Sequence, residues 1–453
     1  MIDLKDKNIL IVGAALSGIA AAKVLHKHGA RVILNDLKGE SNFKDTLEEL
    51  DDINIEYAFG IEPDALLDRC DMIIVSPGVP LDKPFVKKAQ SLGIEVIGEL
   101  ELAYRLAKAP IVAITGTNGK TTTTALTGYI FTLAGINTFV CGNIGVPMIS
   151  SIEQYGPNDV VVAEVSSFQL ESIKHFKPKV AAILNITEDH LNRHGSFENY
   201  VAAKSRVFMN QGPKDYAVLN FDNAPCRELM GILKGEVLPF SHEQILNRGS
   251  FVKDGIITCR ANGKEDKICA VGDIKIPGKH NLENALAACA MTYAMGVKPE
   301  TIAQALNTFQ GVEHRIEFVE EIDGVRFIND SKGTNPDAAI RAIEAVEGPI
   351  ILIAGGYDKH ADFTEFVKAF NNKVKALVLL GQTAEQIASS AKELGFYNVY
   401  KTSSLEEAVN KSWQLARSGD AVLLSPACAS WDMFDNFEQR GELFKKLVKS
   451  LRG

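Results

Sequence analysis

The stretch that most constrains this chain is Gly116-Thr117-Asn118-Gly119-Lys120-Thr121, which follows the apolar run 111–114 and precedes a segment that reads as a helix over 122–132. A strand that turns through glycines into a helix points backbone N–H groups and the helix N-terminus at phosphate oxygens. The lysine of such a loop neutralises the β/γ charge, and the threonine hydroxyl reaches a magnesium ion. The first glycine of the general GxxxxGK pattern falls on Ile114, so the loop is a variant of the form that most phosphate loops share. Strand, loop and helix together predict a parallel α/β sheet that binds its ligand at the carboxyl ends of the strands.

The rest of the chain supplies sheets to match. At roughly 150 residues per domain, 453 residues make about three domains. An apolar strand (9–12), a glycine turn, an amphipathic helix with Ile19, Val24 and Leu25 on one side, a stop at Gly29 and a second strand (31–34) make a βαβ start, continued by apolar runs at 72–75 and 94–97. This predicts a Rossmann-like domain over residues 1–98. A central P-loop ATPase-like domain follows over 99–311, with further strands at 160–163 and 180–184. Within it, 212–276 turns polar and glycine-rich, and alternating pieces such as 251–259 predict small antiparallel strands appended to the parallel sheet. After a helix around 281–295, residues 311–315 read as a linker. Apolar strands at 350–353, 376–380, 398–400 and 421–424 recur at the spacing of βα units and predict a second Rossmann-like domain over 312–453.

Composition narrows the partners. Lys and Arg total 48 against 57 Asp and Glu, a formal charge of −9, which leaves no basic footprint for nucleic acid. No apolar run approaches the roughly 20 residues of a membrane-crossing helix. Residues 1–6 lack the basic and apolar regions of a secretory signal, so a cytoplasmic monomer is expected. Seven cysteines, an odd count without a CxxC pair, are expected to be reduced and mostly buried.

Polar residues gather where the apolar strands end. Glu164 closes the run 160–163 and leads into Ser166-Ser167-Phe168-Gln169-Leu170, while Asp189-His190 stands just beyond 180–184. If these strands flank 111–114, all three loops open on one edge, where a carboxylate can hold the magnesium of ATP and an imidazole can ligate a metal or orient a phosphate. In the first domain, Gly13-Ala14-Ala15-Leu16-Ser17-Gly18 keeps the outer glycines of GxGxxG but has Ala15 at the middle one, a weak dinucleotide fingerprint. Asp36 ends the second strand, either as a ribose or base acceptor or as a loop cap. In the third domain, the segments 329–336, 355–359 and 425–430 follow apolar strands and carry more charge, amide and hydroxyl than turns require.

Taken together, TGTNGKTTT at 115–123, EVSSFQLE at 164–171, NITEDHLNRHG at 185–195, Lys204 within AAKSR, GKHNLENALAA at 278–288, His314-Arg315, NDSKGTNPDA at 329–338, GGYDK at 355–359 and LLSPACASWDMFDNFEQRG at 423–441 resemble the Mur ligase family through all three domains. The resemblance implies an ATP-dependent amide ligase that joins D-glutamate to UDP-N-acetylmuramoyl-L-alanine through an acyl phosphate. It implies that Gly116, Thr117, Asn118, Gly119, Lys120, Thr121 and Thr122 hold the phosphates of ATP. Thr121 and Glu164 would hold a first Mg2+, and His190 with a carbamylated Lys204 would serve a second. Asn143 falls near the metal and reacting phosphate, Asn281 and Arg315 at the adenine, ribose or phosphates, and Asp330 at the ribose. Lys332, Thr334, Lys359, Ser425 and Phe434 fall at the D-glutamate pocket. Ser17, Asp36, Lys38 and Gly78 line the UDP site, with Gln169 on the muramoyl arm. Two positions depart from the family pattern: Lys38 stands where arginine is common, and His360 where glycine often follows the GGxDK lysine.

Two other readings use the same residues differently. A sister ligase adding L-alanine, a diamino acid or glutamyl tails would share the ATP-binding domain. A nicotinamide-dependent oxidoreductase would be built on the first domain, and Ala15 opposes it.

Overall fold

The structure is a computed structural model that describes residues 2–43, 47, 50–143, 146–261, 263–276, 278–358 and 361–452, with the backbone alone for Asn192 and Asp337. The chain forms two compact units, Met1–Phe309 and Gln310–Gly453.

Two sheets build the first unit. Strands β1 (Asn8–Val12), β2 (Arg31–Asp36), β3 (Glu56–Phe59), β4 (Met72–Val75) and β5 (Glu95–Gly98) are all parallel, in the order β3-β2-β1-β4-β5. β1 and β4 are buried on both faces, which is why they read as unbroken apolar runs. Edge strand β3 exposes Glu56 and Tyr57 and gives no such signal. Helix α1 (Leu16–Lys27) turns Ile19, Val24 and Leu25 inward as predicted. A Cβ on Gly18 would lie 2.0 Å from the Gly13 carbonyl oxygen, so this glycine serves the packing of helix on strand.

The second sheet comprises β6 (Ile111–Thr115), β7 (Thr138–Gly142), β8 (Val160–Glu164), β9 (Val180–Ile183), β10 (Tyr216–Asn220), β11 (Glu236–Ser241), β12 (Gly249–Lys253), β13 (Ile256–Ala261) and β14 (Lys264–Ala270). Their order is β14-β13-β12-β11-β10-β9-β6-β8-β7. The expectation for 212–276 needs correction: β10 and β11 extend the parallel sheet beside β9, and β12 joins β11 in parallel. Only the run β12-β13-β14 is antiparallel, and the piece 251–259 is split by a turn at Asp254 and Gly255, both at positive φ. Helix α2 (Glu99–Leu106) links the two sheets, and α3 (Lys120–Leu133) leaves the phosphate loop. Beyond β8 and β9 come α4 (Ser167–Glu171), α5 (Leu191–His194) and α6 (Phe197–Ser205), and α7 (Lys279–Ala294) packs on α3.

The second unit holds β15 (Glu317–Ile322), β16 (Val325–Asn329), β17 (Ile350–Ala354), β18 (Val374–Leu379), β19 (Val399–Lys401) and β20 (Ala421–Leu424), ordered β15-β16-β20-β17-β18-β19. All neighbours are parallel except β15, an antiparallel edge strand that begins just after the expected linker. Helix α8 (Pro336–Ala345) starts at Pro336 with Asn335 as its cap, and α9 (Phe437–Ser450) ends the fold. The seven cysteines are free thiols, five of them buried. Among the described residues no helix is long and apolar enough to cross a membrane.

Candidate active site

Strand β6 lies between β8 and β9, all three parallel, so the loops after them open on one edge as their polar residues predict. Gly119 is left-handed (φ +81), and a Cβ on it would come 2.3 Å from Asn284 Oδ1 of α7, so glycine lets the phosphate loop close onto that helix. The loop is held from the β9 side. Thr117 N–H donates to the Asn185 carbonyl (2.9 Å), Asn118 N–H to Asn185 Oδ1 (2.9 Å) and Thr117 Oγ1 to the Thr187 carbonyl (3.2 Å). Lys120 turns its Nζ back to the carbonyls of Gly116 and Thr117, 3.0 Å from each.

Glu164, 2% exposed, accepts from Thr121 Oγ1 on Oε2 and from Asn143 Nδ2 on Oε1, both at 2.9 Å. Both donors are neutral, and the carboxylate oxygens are hard donors of the kind an oxygen-seeking cation takes. Lys204 on α6 is equally buried and donates from Nζ to the Gly116 carbonyl at 2.9 Å, above the Tyr200 ring at 4.5 Å. Burial, and then the nearby Lys120 charge, pull its pKa from 10.5 down to about 7. His190 precedes α5 in a left-handed conformation, about half exposed, its ring 5.0 Å from that of Phe168. Thr122 is buried at the start of α3. On α7, Asn281 Oδ1 accepts from Asn284 Nδ2 and Asn284 Oδ1 from Thr123 Oγ1, both at 3.1 Å, which ties that helix to α3.

At the first sheet, Asp36 binds its own loops: Oδ2 accepts from Ala14 N–H (3.1 Å) and Oδ1 from Lys38 N–H (3.0 Å). Ser17 is half-buried in the first turn of α1, and Lys38 and Gly78 are exposed. Gln169 is buried, its Oε1 taking Ser166 N–H at 2.9 Å in a capping box, so that oxygen is committed to the start of α4.

In the second unit, Asp330 is 4% exposed; its Oδ2 accepts from Ser425 Oγ at 2.6 Å and its Oδ1 from Ile316 N–H at 3.2 Å. Burial raises its pKa to about 6, with the charge of Arg315 among the opposing influences. The residues expected at the ribose and at the D-glutamate pocket are therefore in direct contact. Lys332 lies over the Phe437 ring at 5.4 Å, and Thr334 N–H donates to the Lys332 carbonyl at 2.9 Å. Phe434 is half-buried against the apolar cluster that contains Phe327 and Phe444. Lys359, like His360, lies outside the described residues.

Comparison with known proteins matches three family models in succession: a Mur ligase MurD-like N-terminal domain over residues 7–98, a Mur ligase middle domain over 114–292 and a Mur ligase glutamate ligase domain over 314–428. The UDP-N-acetylmuramoylalanine–D-glutamate ligase of Alkaliphilus metalliredigens is 54% identical over 452 residues, 99% of both chains. That of a Thermoanaerobacter species is 52% identical over 99% of this chain and 100% of its own. The chain belongs to the Mur ligase family. Among solved structures, MurC of Thermotoga maritima aligns with a TM-score of 0.59 at 21% identity over 98% of this chain and 99% of its own, which speaks to the fold. MurF of the same organism, in complex with ADP, has a TM-score of 0.59 at 17% identity over 100% of both chains. Mur ligases are ATP-dependent, amide-bond-forming enzymes, and this one is no exception.

Two residues of this Mur ligase that sequence reasoning passed over organise the sites. Tyr200, four residues before Lys204 on the same face of α6, sets its hydroxyl 3.3 Å from Thr117 Oγ1. Arg440, 2% exposed, donates from Nε to Ser331 Oγ (3.0 Å) and from Nη2 to the carbonyls of Ser331 (2.9 Å) and Cys428 (3.2 Å). It thereby braces the loops 330–334 and 425–430 against α9. Tyr200 was legible only as helical spacing from Lys204, and Arg440 only as a lone cation near the end of the last quoted motif.

Proposed function

We propose that the chain joins D-glutamate to UDP-N-acetylmuramoyl-L-alanine in peptidoglycan precursor synthesis, with ATP converted to ADP and phosphate. The observation that carries the chemistry is the meeting of Lys120, Lys204 and the Thr121–Glu164–Asn143 triple at one sheet edge. The two substrates are taken from the names of relatives that match over nearly the whole chain. A carboxylate is a poor acyl donor. Its oxygen attacks the γ-phosphorus, ADP leaves, and the resulting acyl phosphate is attacked by the amine of D-glutamate, releasing phosphate and a proton. Such chemistry is governed by positioning and charge neutralisation. Lys120 and the amides of 116–122 meet the phosphates.

Thr121 and Glu164 offer the hard oxygen donors that suit Mg2+, and when bound the metal supplies charge neutralisation of the phosphates. His190 and Lys204 are the candidates for a second ion. A lysine ammonium would repel a cation, but the neutral amine, which burial makes available near pH 7, can add CO2, forming an N–C bond and releasing a proton, which would turn Lys204 into a carboxylate-type ligand. Asn281, Arg315 and Asp330 are assigned to the nucleoside of ATP. Ser17, Asp36, Lys38, Gly78 and Gln169 are assigned to the UDP-muramoyl substrate, and Lys332, Thr334, Lys359, Ser425 and Phe434 to D-glutamate, the lysines answering its two carboxylates. The division into a UDP-precursor domain (1–98), an ATP domain (99–311) and an amino-acid domain (312–453) follows from these assignments. A reaction that consumes ATP and a UDP-linked sugar places the enzyme in the cytoplasm.

The test is phosphate release with UDP-N-acetylmuramoyl-L-alanine, ATP and Mg2+, comparing D-glutamate with L-glutamate, L-alanine and meso-diaminopimelate. D-glutamate should be preferred; a faster rival would refute the acceptor while leaving the ligase class in place.

A further inference from the structure

His194, the second histidine of the segment after β9, has no part in the chemistry above. It is the last residue of α5, its side chain 3% exposed, with Nδ1 3.4 Å from Glu171 Oε1 and Nε2 3.0 Å from Ser167 Oγ. The other oxygen of Glu171 takes Arg193 Nη2 at 2.8 Å. A carboxylate oxygen at ion-pair distance from Nδ1 favours the imidazole proton on that nitrogen, and Nε2 is then left as a lone pair to which the Ser167 hydroxyl donates. Burial works in the same direction, holding the imidazole below its usual pKa against the pull of Glu171, with His190, Arg193 and Lys204 adding repulsion.

The ring is also a wedge. It stacks on Phe168 at 5.5 Å and tilts against Tyr200 at 5.2 Å. Phe168 contacts the His190 ring at 5.0 Å, while Tyr200 supports Lys204 Nζ at 4.5 Å and reaches Thr117 Oγ1 at 3.3 Å. One imidazole thus connects the loop that follows Glu164, the segment bearing His190 and Lys204, and the phosphate loop.

We propose that His194 is a positioning residue for amide formation: with its proton on Nδ1 beside Glu171, it accepts from Ser167 at Nε2, and this contact fixes the adjoining Phe168 against the His190–Tyr200 side of the site, so that Lys204 is kept at the Gly116 carbonyl. This deepens the ligase reading and rests on it. Partners one step removed from reacting groups are worth about 10- to 100-fold in activity.

The test compares three substitutions. His194→Phe keeps the ring and removes the acceptor. His194→Gln can place an amide oxygen where Nε2 stands, and His194→Asn can reach only the Nδ1 position. The expected result is a fall in kcat of about 30-fold for Phe and Asn, with the KM for ATP within about threefold, and recovery to within about fivefold for Gln. Ser167→Ala should reproduce the Phe variant, and the double variant should be no worse than either single one, because the two side chains act as one unit. In the unmutated enzyme, nitrogen NMR should find His194 protonated on Nδ1, and the Phe variant should take up less 13CO2 on Lys204. An unchanged kcat in the Phe and Ser167→Ala variants, a Gln variant no better than Asn, or a proton on Nε2 would overturn the proposal. If the Phe variant fails to fold, Ser167→Ala and the tautomer carry the decision. Failure of the ligase reading is recognised separately, by the unmutated chain preferring another acceptor; the same variants are then compared with that acceptor.

Discussion

Lys120 and Lys204 both donate to the carbonyl oxygen of Gly116, at 3.0 and 2.9 Å. Two ammonium groups on one acceptor repel each other, and after burial this repulsion is the next cause of the lowered Lys204 pKa. The loop assigned to the phosphates is thereby coupled to the residue assigned to the second metal ion.

Replacing Lys120 by Ala should therefore do two things. Turnover should fall by at least about 100-fold, because the phosphates lose their main positioned cation. The pKa of Lys204 should rise as the repulsion disappears, so its uptake of 13CO2 near neutral pH should drop. Steady-state kinetics and carbon NMR read the two effects independently; normal turnover would remove the phosphate-loop assignment.

CO2 addition needs a neutral amine. With the Lys204 pKa moved from 10.5 to about 7, labelling should rise as the pH passes about 7, far below the range of an ordinary lysine. The same shift has a stability consequence of definite sign. Between about pH 7 and 10.5 the unfolded chain holds a proton that the folded chain has lost, so Lys204 makes folding more favourable as pH rises across that window. Lys204→Ala should flatten this part of the pH–stability curve. It should also be nearly inactive and partly restored by acetate or formate, since the group required is an anion.

Glu164→Gln replaces a buried carboxyl group by an amide that keeps one oxygen and the side-chain volume. The fold should persist, the magnesium concentration needed for half-maximal rate should rise, and kcat should fall by about 100-fold or more. A magnesium titration of phosphate release checks this, and an unchanged requirement would exclude Glu164 as a metal-binding group.

Arg440→Met fills similar space without the donors. The carbonyls of Ser331 and Cys428 would lose a charged partner, at a cost of about 2 to 4 kcal/mol. Denaturant unfolding should show the loss in the second unit, and the KM for D-glutamate should rise with it because both bordering loops loosen.

Legibility followed burial. Strands β6, β8 and β9 lie inside a sheet covered on both faces, so their side chains are apolar up to the polar residues at their carboxyl ends, and the sequence alone places the loops that follow on one edge. Strands β3 and β15 are edges with exposed acids, and β11 carries Pro239, so neither alternation nor an apolar run announced them. At β11 this hides the parallel extension, and the polar, glycine-rich stretch 212–276 reads as antiparallel additions even though β10 is a buried apolar strand.

The order of residues along the chain determined what depends on neighbours: the glycine loop ahead of α3, Asn335 capping the helix that starts at Pro336, and acids placed at strand ends. Tertiary structure alone decided what depends on separation. The Lys204 amine meets the Gly116 carbonyl across 88 residues, Ser425 meets Asp330 across 95, and Arg440 meets Ser331 across 109. A lysine pKa near 7 exists only because packing excludes water around Lys204 and brings Lys120 close. Desolvation and charge proximity are properties of the folded interior, and no reading of local pattern contains them.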